Sequence, residues 1–169
     1  PFICELGNAL RPFGIIKGPN QGPGEHQSVE YNDLAKFLVE KAKPGNTLII
    51  SRTNAAIISC AIMLNKKQVP CRIVDRELHE EVLKFFKSFQ TTNLPKLRSR
   101  IQEYLTRGLR SRNEMWAQMV EDKCQYSFEL LDQVANFTEL EELIKETFEV
   151  HDEGYALCTI HKSKGLEAT

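Results

Sequence analysis

The protein has 169 residues, of which 41% are hydrophobic and 27% charged, and its 22 basic and 23 acidic residues give a formal net charge of -1. This length suits one domain with a single core, and the composition excludes a wholly disordered chain, a collagen-like repeat and a disulfide-stapled miniprotein. Near neutrality argues against a uniformly basic surface, but it leaves room for a local basic face, because binding depends on how charge is distributed.

Residues 1–46 predict two helices separated by a loop. Residues 2–10 place apolar side chains at helical spacing, and Pro12 then ends the pattern. Residues 17–27 are dense in glycine and proline, which indicates an exposed loop. Residues 28–43 have the spacing of an amphipathic helix. Because the apolar pattern is already under way at Pro1 and the chain stops just after a polar turn, we expect a piece of a longer protein.

Three short apolar runs predict the strands of a parallel sheet. Residues 47–51 are almost continuously apolar, which is typical of a strand buried on both faces. An apolar helix over residues 55–65 and a second strand over 69–74 follow, and together these elements predict a βαβ unit. Residues 155–160 form another run of the buried type. The sequence therefore predicts an α/β fold.

The stretch from residue 76 to residue 149 has only helical periodicity. Basic residues are concentrated in its 96–112 segment, where Glu103 is the one acidic residue, whereas residues 129–153 are strongly acidic apart from Lys145. A basic run of this kind is most often the solvated face of a helix. We expect an all-helical insertion between the second and third strands.

The five cysteines predict no metal site and no disulfide framework. They are widely spaced and never form a CxxC pair. Each lies among apolar neighbours, as a buried reduced thiol does. No stretch approaches the roughly 20 apolar residues of a membrane span, and no signal-peptide pattern is present. We expect a cytoplasmic protein that is neither secreted nor attached to a membrane.

Two polar segments, 52–54 and 161–167, come directly after predicted strands. In a parallel α/β sheet the carboxyl ends of the strands share one edge, and ligands bind there. We therefore expect both segments at that edge. Taken alone, the first segment also fits a solvated strand end that caps a helix, and the second fits an ordinary strand-to-helix loop.

The side chains of these segments suit a polyanion. Arg52 and Lys164 can donate charge-assisted hydrogen bonds to phosphate, and Asn54 and Thr159 can donate neutral ones. His161 can form a hydrogen bond or stack on a base. This mixture favours nucleic acid on one side of the edge and a nucleotide on the other.

These residues also carry a family resemblance. The string CTIHKSKGLE at 158–167 resembles motif V of the UvrD/Rep/PcrA-type superfamily 1 DNA helicases, whose pattern is close to T-x-H-x-x-K-G-L-E. Residues 46–75, with RTN at the end of the first strand, look like the family's motif IVa, and residues 1–12 are similar to the segment after its NYRS motif. The matches follow the family's order, and residues 76–149 lie where the family inserts its helical accessory domain.

The resemblance implies that residues 1–75 and 150–169 belong to the C-terminal, RecA-like helicase domain: a parallel sheet with flanking helices, interrupted by the all-helical insertion at 76–149. The intact enzyme would translocate on single-stranded DNA and unwind duplex DNA by ATP hydrolysis. Its cofactors would be ATP and Mg, and this domain's partners would be single-stranded DNA and the N-terminal RecA-like domain of the same chain. It would work in the cytoplasm, nucleoid or nucleus, wherever the DNA is.

The resemblance also implies residue roles. The residues expected to contact nucleic acid are Arg52, Asn54, Thr159 and His161. Those expected to face the nucleotide are Lys164, Gly165 and Glu167, with Glu167 near the ribose. The GxxxxGK[ST] phosphate loop and the DExx box are missing from this sequence, so we expect no catalytic residue here and no ATP hydrolysis by this chain alone.

One alternative comes from a different class of function. The chain could be a non-catalytic module that binds nucleic acid or protein through the basic helical segment at 96–112, with the α/β half as a scaffold. A small nucleotide-dependent enzyme complete in itself is disfavoured, because the sequence has no phosphate-binding loop.

Overall fold

A computed structural model describes residues 30, 33–41, 47–149 and 154–163. The strands in these ranges are β1 (Leu48–Ser51), β2 (Cys71–Ile73) and β3 (Tyr155–Thr159). The helices are α1 (Leu34–Lys41), α2 (Asn54–Lys66), α3 (Arg76–Ser88), α4 (Leu94–Leu109), α5 (Glu114–Leu131) and α6 (Phe137–Thr147). The helix expected at 2–10 and the loop expected at 17–27 lie outside the described residues. This part of the chain is a mixed α/β protein, as the sequence predicted.

The three strands form a parallel sheet in the order β1-β3-β2. The last strand along the chain therefore lies between the first two, so the strands of the predicted βαβ unit share a sheet without being neighbours. The expectation that β1 is buried on both faces is wrong, since Ile50 is 49% exposed and no residue of the strand is fully buried. In the described sheet β1 pairs on one side only, whereas β3 is flanked on both sides and is mostly buried.

Helix α2 is the centre of the core. It begins after Thr53, whose hydroxyl accepts a hydrogen bond from the backbone N–H of Ala56 at 3.3 Å. One side of the helix packs on all three strands and the other on α5 and α6. Contact on both sides explains why its sequence is apolar nearly all round, with seven buried residues among thirteen.

Helices α5 and α6 of the insertion pack against α2, and α4 and α3 pack on α5 and α6 in turn, so the insertion does not stand apart as a separate lobe. The described residues from 35 onward belong to one compact unit. The Ser59 hydroxyl on α2 donates a hydrogen bond to Glu129 on α5, and the Asn65 amide donates to the carbonyl of Glu146 on α6 at 3.5 Å. Residues 76–149 contain helices and no strand, as their periodicity predicted. The side-chain N-caps of α3 to α6 are Asp75, Asn93, Asn113 and Asn136.

Helix α1 is shorter than the sequence predicted. It begins at Leu34, and before it the Asp33 N–H donates a hydrogen bond to the Glu30 carbonyl at 3.0 Å. The Tyr155 hydroxyl at the start of β3 donates to the Leu38 carbonyl at 2.9 Å and ties this helix to the sheet. None of the helices in the described ranges is long and apolar enough to cross a lipid bilayer.

Candidate nucleic-acid interface

The two polar segments meet because β1 and β3 are neighbours. Ser51 pairs with Thr159 at the carboxyl end of the sheet, and the Ile160 N–H donates to the Ser51 carbonyl at 2.9 Å. The segments that follow these strands therefore leave the sheet side by side. This is the arrangement that the edge of a parallel sheet was expected to produce.

The segment after β1 presents a free cation at the start of a helix. The Arg52 side chain is exposed, and it has no ion pair or hydrogen bond within the described residues. Thr53 follows as the N-cap of α2, and Asn54 is the first helical residue. The side chain of Asn54 is half-buried. Arg52 is therefore available to an anionic ligand, while Thr53 is already used in capping.

The segment after β3 is a compact turn that holds His161 in solvent. The N–H groups of Lys162 and Ser163 both donate to the Thr159 carbonyl, at 3.0 and 2.9 Å. The Ser163 hydroxyl donates to the Ile160 carbonyl at 2.8 Å. Each of these bonds closes the turn locally, so the exposed imidazole of His161 is presented by a constrained backbone.

Lys162 is turned toward the neighbouring β2–α3 connection. Its ammonium lies 3.5 Å from the Asp75 carboxylate and 3.4 Å from the Glu77 carboxylate. The charge of Asp75 and the hydrogen bond to Glu77 raise the pKa of Lys162 above its usual value. Its charge is thus compensated within the protein, whereas Arg52 has no such partner among the residues that the structure describes.

A cleft of about 320 Å³ opens between the two segments and helix α5. All four residues expected to contact nucleic acid line it: Arg52, Asn54, Thr159 and His161. The opposite wall is contributed by the helical insertion through Met115, Gln118, Met119 and Asp122. The structure thus brings together the predicted residues and adds a second wall that the sequence did not predict.

Asp122 fastens this second wall to the sheet edge. Its carboxylate accepts hydrogen bonds from the backbone N–H groups of Asn54, at 3.2 Å, and Ala55, at 2.8 Å. A helix N-terminus attracts anions because its first N–H groups lack helical partners and carry partial positive charge. In this protein the Asp122 carboxylate occupies the position where an anion would bind. The following N–H group, that of Ala56, donates to the Thr53 hydroxyl.

The structure does not describe the residues that are expected to face a nucleotide. Lys164, Gly165 and Glu167 lie outside the described residues, so their role stays a prediction. In the ranges that the structure covers, no group of three or more His, Cys, Asp or Glu side chains is arranged to hold a metal ion.

The basic segment of the insertion is largely solvated, and part of its charge is used internally. A larger concavity, about 850 Å³, lies along α4. Arg98 at its side forms an ion pair with Asp132 and lies over the Phe128 ring at 5.5 Å. Arg100 donates to the Phe89 carbonyl. Glu103 and Arg107 both line this concavity, so its surface carries charges of both signs.

No protein-family model, curated protein or solved structure matches this chain. The fold class that stands is a mixed α/β protein with a small parallel sheet and a helical insertion packed against it. Any link to helicases therefore depends on the motif residues and on where they lie at the sheet edge.

Proposed function

We propose that the chain is the C-terminal RecA-like domain, with a reduced helical insertion, of an ATP-dependent superfamily 1 DNA helicase. One observation carries the proposal: the pairing of β1 with β3 places Arg52, Asn54, Thr159 and His161 around one cleft. These residues come from two segments more than 100 residues apart in the chain, each matched to a different helicase motif. Their convergence supports the proposal, because a common DNA-binding role requires these four residues to lie close together.

The chemistry of the cleft supports a single-stranded nucleic acid as ligand. Phosphate contacts position a strand without reading its sequence, and an exposed guanidinium is well suited to make one. Since Asp122 and Thr53 already bind the first N–H groups of α2, a phosphate here must be held by side chains, above all by Arg52. His161 and Thr159 can hold the adjacent sugar or base.

The part of the helicase cycle that we assign to this chain is the gripping and release of the strand. In the intact enzyme, ATP binding would draw two RecA-like domains together and move this edge relative to the other domain, which couples two sites through domain closure. Hydrolysis of ATP, with Mg as its cofactor, would supply the energy of that cycle. The chain itself would hold phosphate at Arg52 and hold the neighbouring nucleotide at His161.

Binding of a fluorescent single-stranded oligonucleotide tests this proposal. Arg52→Ala should weaken binding about tenfold, as expected for the loss of one charge-assisted hydrogen bond. It should also reduce the magnitude of the slope of log K against log salt concentration by about 0.7, which is the contribution of one phosphate contact on a single strand. His161→Ala should weaken binding with little change in that salt dependence. The same substitutions in the intact helicase should slow unwinding. Unchanged affinity and unwinding in both variants would overturn the site.

The control also tests the alternative binding module. Arg107, Arg110 and Arg112 are exposed and lie outside the cleft. Their joint replacement by glutamine removes three charges from the basic segment and should leave the contribution of Arg52 intact. Binding that is lost in this triple variant but survives Arg52→Ala would instead support docking through the insertion.

A further inference from the structure

Helix α5 turns an apolar surface toward the cleft. Met115 is 80% exposed and Met119 is 45% exposed, although most large apolar side chains in the described part of the chain are buried. Both line the cleft, together with Gln118 and Asp122. These four positions have the spacing i, i+3, i+4 and i+7, so they form one stripe along the helix.

The orientation of the stripe is set by its last residue. Asp122 is bound to two N–H groups at the start of α2, so the stripe must face the segments that follow β1 and β3. The inner face of the same helix is held by the buried side chains of Val120 and Cys124. Met115 and Met119 are therefore presented to the cleft by a fixed helix.

The cleft thus has two chemically different walls. One carries Arg52 and His161 and is cationic or hydrogen-bonding, and the other carries two exposed thioether side chains. Single-stranded DNA has the matching cross-section, with phosphates on one side and unpaired aromatic bases on the other. Duplex DNA would offer mainly its phosphates, because its bases are stacked inside.

We infer that Met115 and Met119 contact the bases of the strand whose phosphate lies on Arg52, so that the helical insertion forms half of the DNA-binding site. This inference rests on the proposed function. Thioether sulfur makes favourable contacts with aromatic rings, and apolar side chains, including methionine, pack against unstacked bases. Contact with ring faces distinguishes little between the four bases, as suits a protein that moves along any sequence.

The test compares an oligothymidylate with an abasic strand of equal length. The wild-type protein should bind the thymidine strand more tightly. The double variant Met115→Ala/Met119→Ala should lose about three- to tenfold in affinity for the thymidine strand and none for the abasic one. Arg52→Ala should weaken binding to both strands by the same factor. Replacing both methionines by leucine, which keeps the apolar contact, should restore most of the preference.

Leu109→Ala is the matched control, because Leu109 is a 54% exposed apolar residue of the insertion that does not line the cleft. It should leave both affinities unchanged. A wild-type protein that binds neither strand would overturn the proposed function and this inference with it. Binding that depends on Arg52, without a preference for bases or with a preference that survives the double alanine variant, would overturn this inference alone. Unchanged thermal unfolding excludes misfolding as the cause.

Discussion

The carboxylate of Asp122 lies 2.8 Å from the backbone nitrogen of Ala55, a residue 67 positions earlier in the chain. Its second oxygen accepts from Asn54, so one aspartate of the insertion closes the N-terminus of the central helix. Two consequences follow. The insertion is held against the carboxyl edge of the sheet, and the position that attracts anions in many α/β proteins is filled from within.

Asp122→Ala should destabilise the protein by about 1–3 kcal/mol, because it leaves two half-buried N–H groups without a partner and removes a favourable charge from a helix N-terminus. Asp122→Asn should cost less, since the amide oxygen can still accept one bond. Equilibrium urea unfolding measures both. The exposed neighbour Glu121 provides the control variant Glu121→Ala. Equal losses at positions 121 and 122 would contradict the capping role.

The strands and the central helix could be predicted from local pattern because each depends on neighbours in sequence. The apolar run at 47–51 became β1, and that at 155–160 became β3. Adjacency of β1 and β3 then brought Arg52 and His161 to the same cleft. The exposure of β1 was missed because the length and apolarity of a run do not tell how many strands pair with it.

The second wall of the cleft could not be predicted for a different reason. In the sequence, Asp122 is one of several acidic residues on an amphipathic helix and resembles a solvated surface position. Its role depends on the rotation of α5 about its axis and on its docking against α2, both of which are set by long-range packing. The two exposed methionines Met115 and Met119 give a partial signal, since they interrupt an otherwise polar face.

Gly108→Ala should destabilise the packing of α4 on α5. A Cβ at residue 108 would lie 2.4 Å from one Val120 methyl carbon and 2.7 Å from its Cβ, closer than atoms can approach. In an unobstructed helix the same change would stabilise the protein by about 1 kcal/mol. We instead expect the free energy of unfolding to fall by about 1–3 kcal/mol, because of the clash with Val120.

Val120→Ala removes the two methyl carbons that the added group would meet, at 2.4 and 2.9 Å, and so relieves part of the clash, although its Cβ stays. The double variant Gly108→Ala/Val120→Ala should therefore be more stable than the sum of the two single losses predicts, and thermal or urea unfolding of all four proteins measures this coupling. Strict additivity would show that the two helices do not meet closely at Val120.

Alkaline pH should weaken the fold through the buried thiols. Burial raises the pKa of Cys60 from 9.0 to about 11, and burial together with nearby Cys60 raises the pKa of Cys71 to about 12. Between pH 9 and 11 the unfolded chain has lost these protons while the folded protein keeps them. The unfolded state then binds fewer protons, so the free energy of unfolding falls as pH rises, by about 1.4 kcal/mol per pH unit for each thiol.

Urea unfolding at several pH values checks this expectation. Below pH 8 the two thiols should contribute no pH dependence, and Cys60→Ala should reduce the slope above pH 9. Iodoacetamide at neutral pH offers an independent readout, since buried protonated thiols react slowly. The peptides that carry Cys60, Cys71, Cys124 and Cys158, which are all buried and free, should stay unmodified until the protein unfolds. Rapid modification of the folded protein would contradict their burial.

Lys162→Ala should affect DNA binding much less than Arg52→Ala, although both residues are cations at the same sheet edge. The Lys162 ammonium lies within 3.5 Å of Asp75 and Glu77, and these carboxylates compensate its charge. We expect a change in affinity of less than about twofold and little change in the free energy of unfolding, because exposed ion pairs contribute little to stability. Oligonucleotide titrations at two salt concentrations distinguish the roles of Lys162 and Arg52, because only Arg52→Ala should lower the salt dependence of the binding constant. A loss at Lys162 as large as that at Arg52 would mean that DNA displaces Asp75 and Glu77 from the lysine.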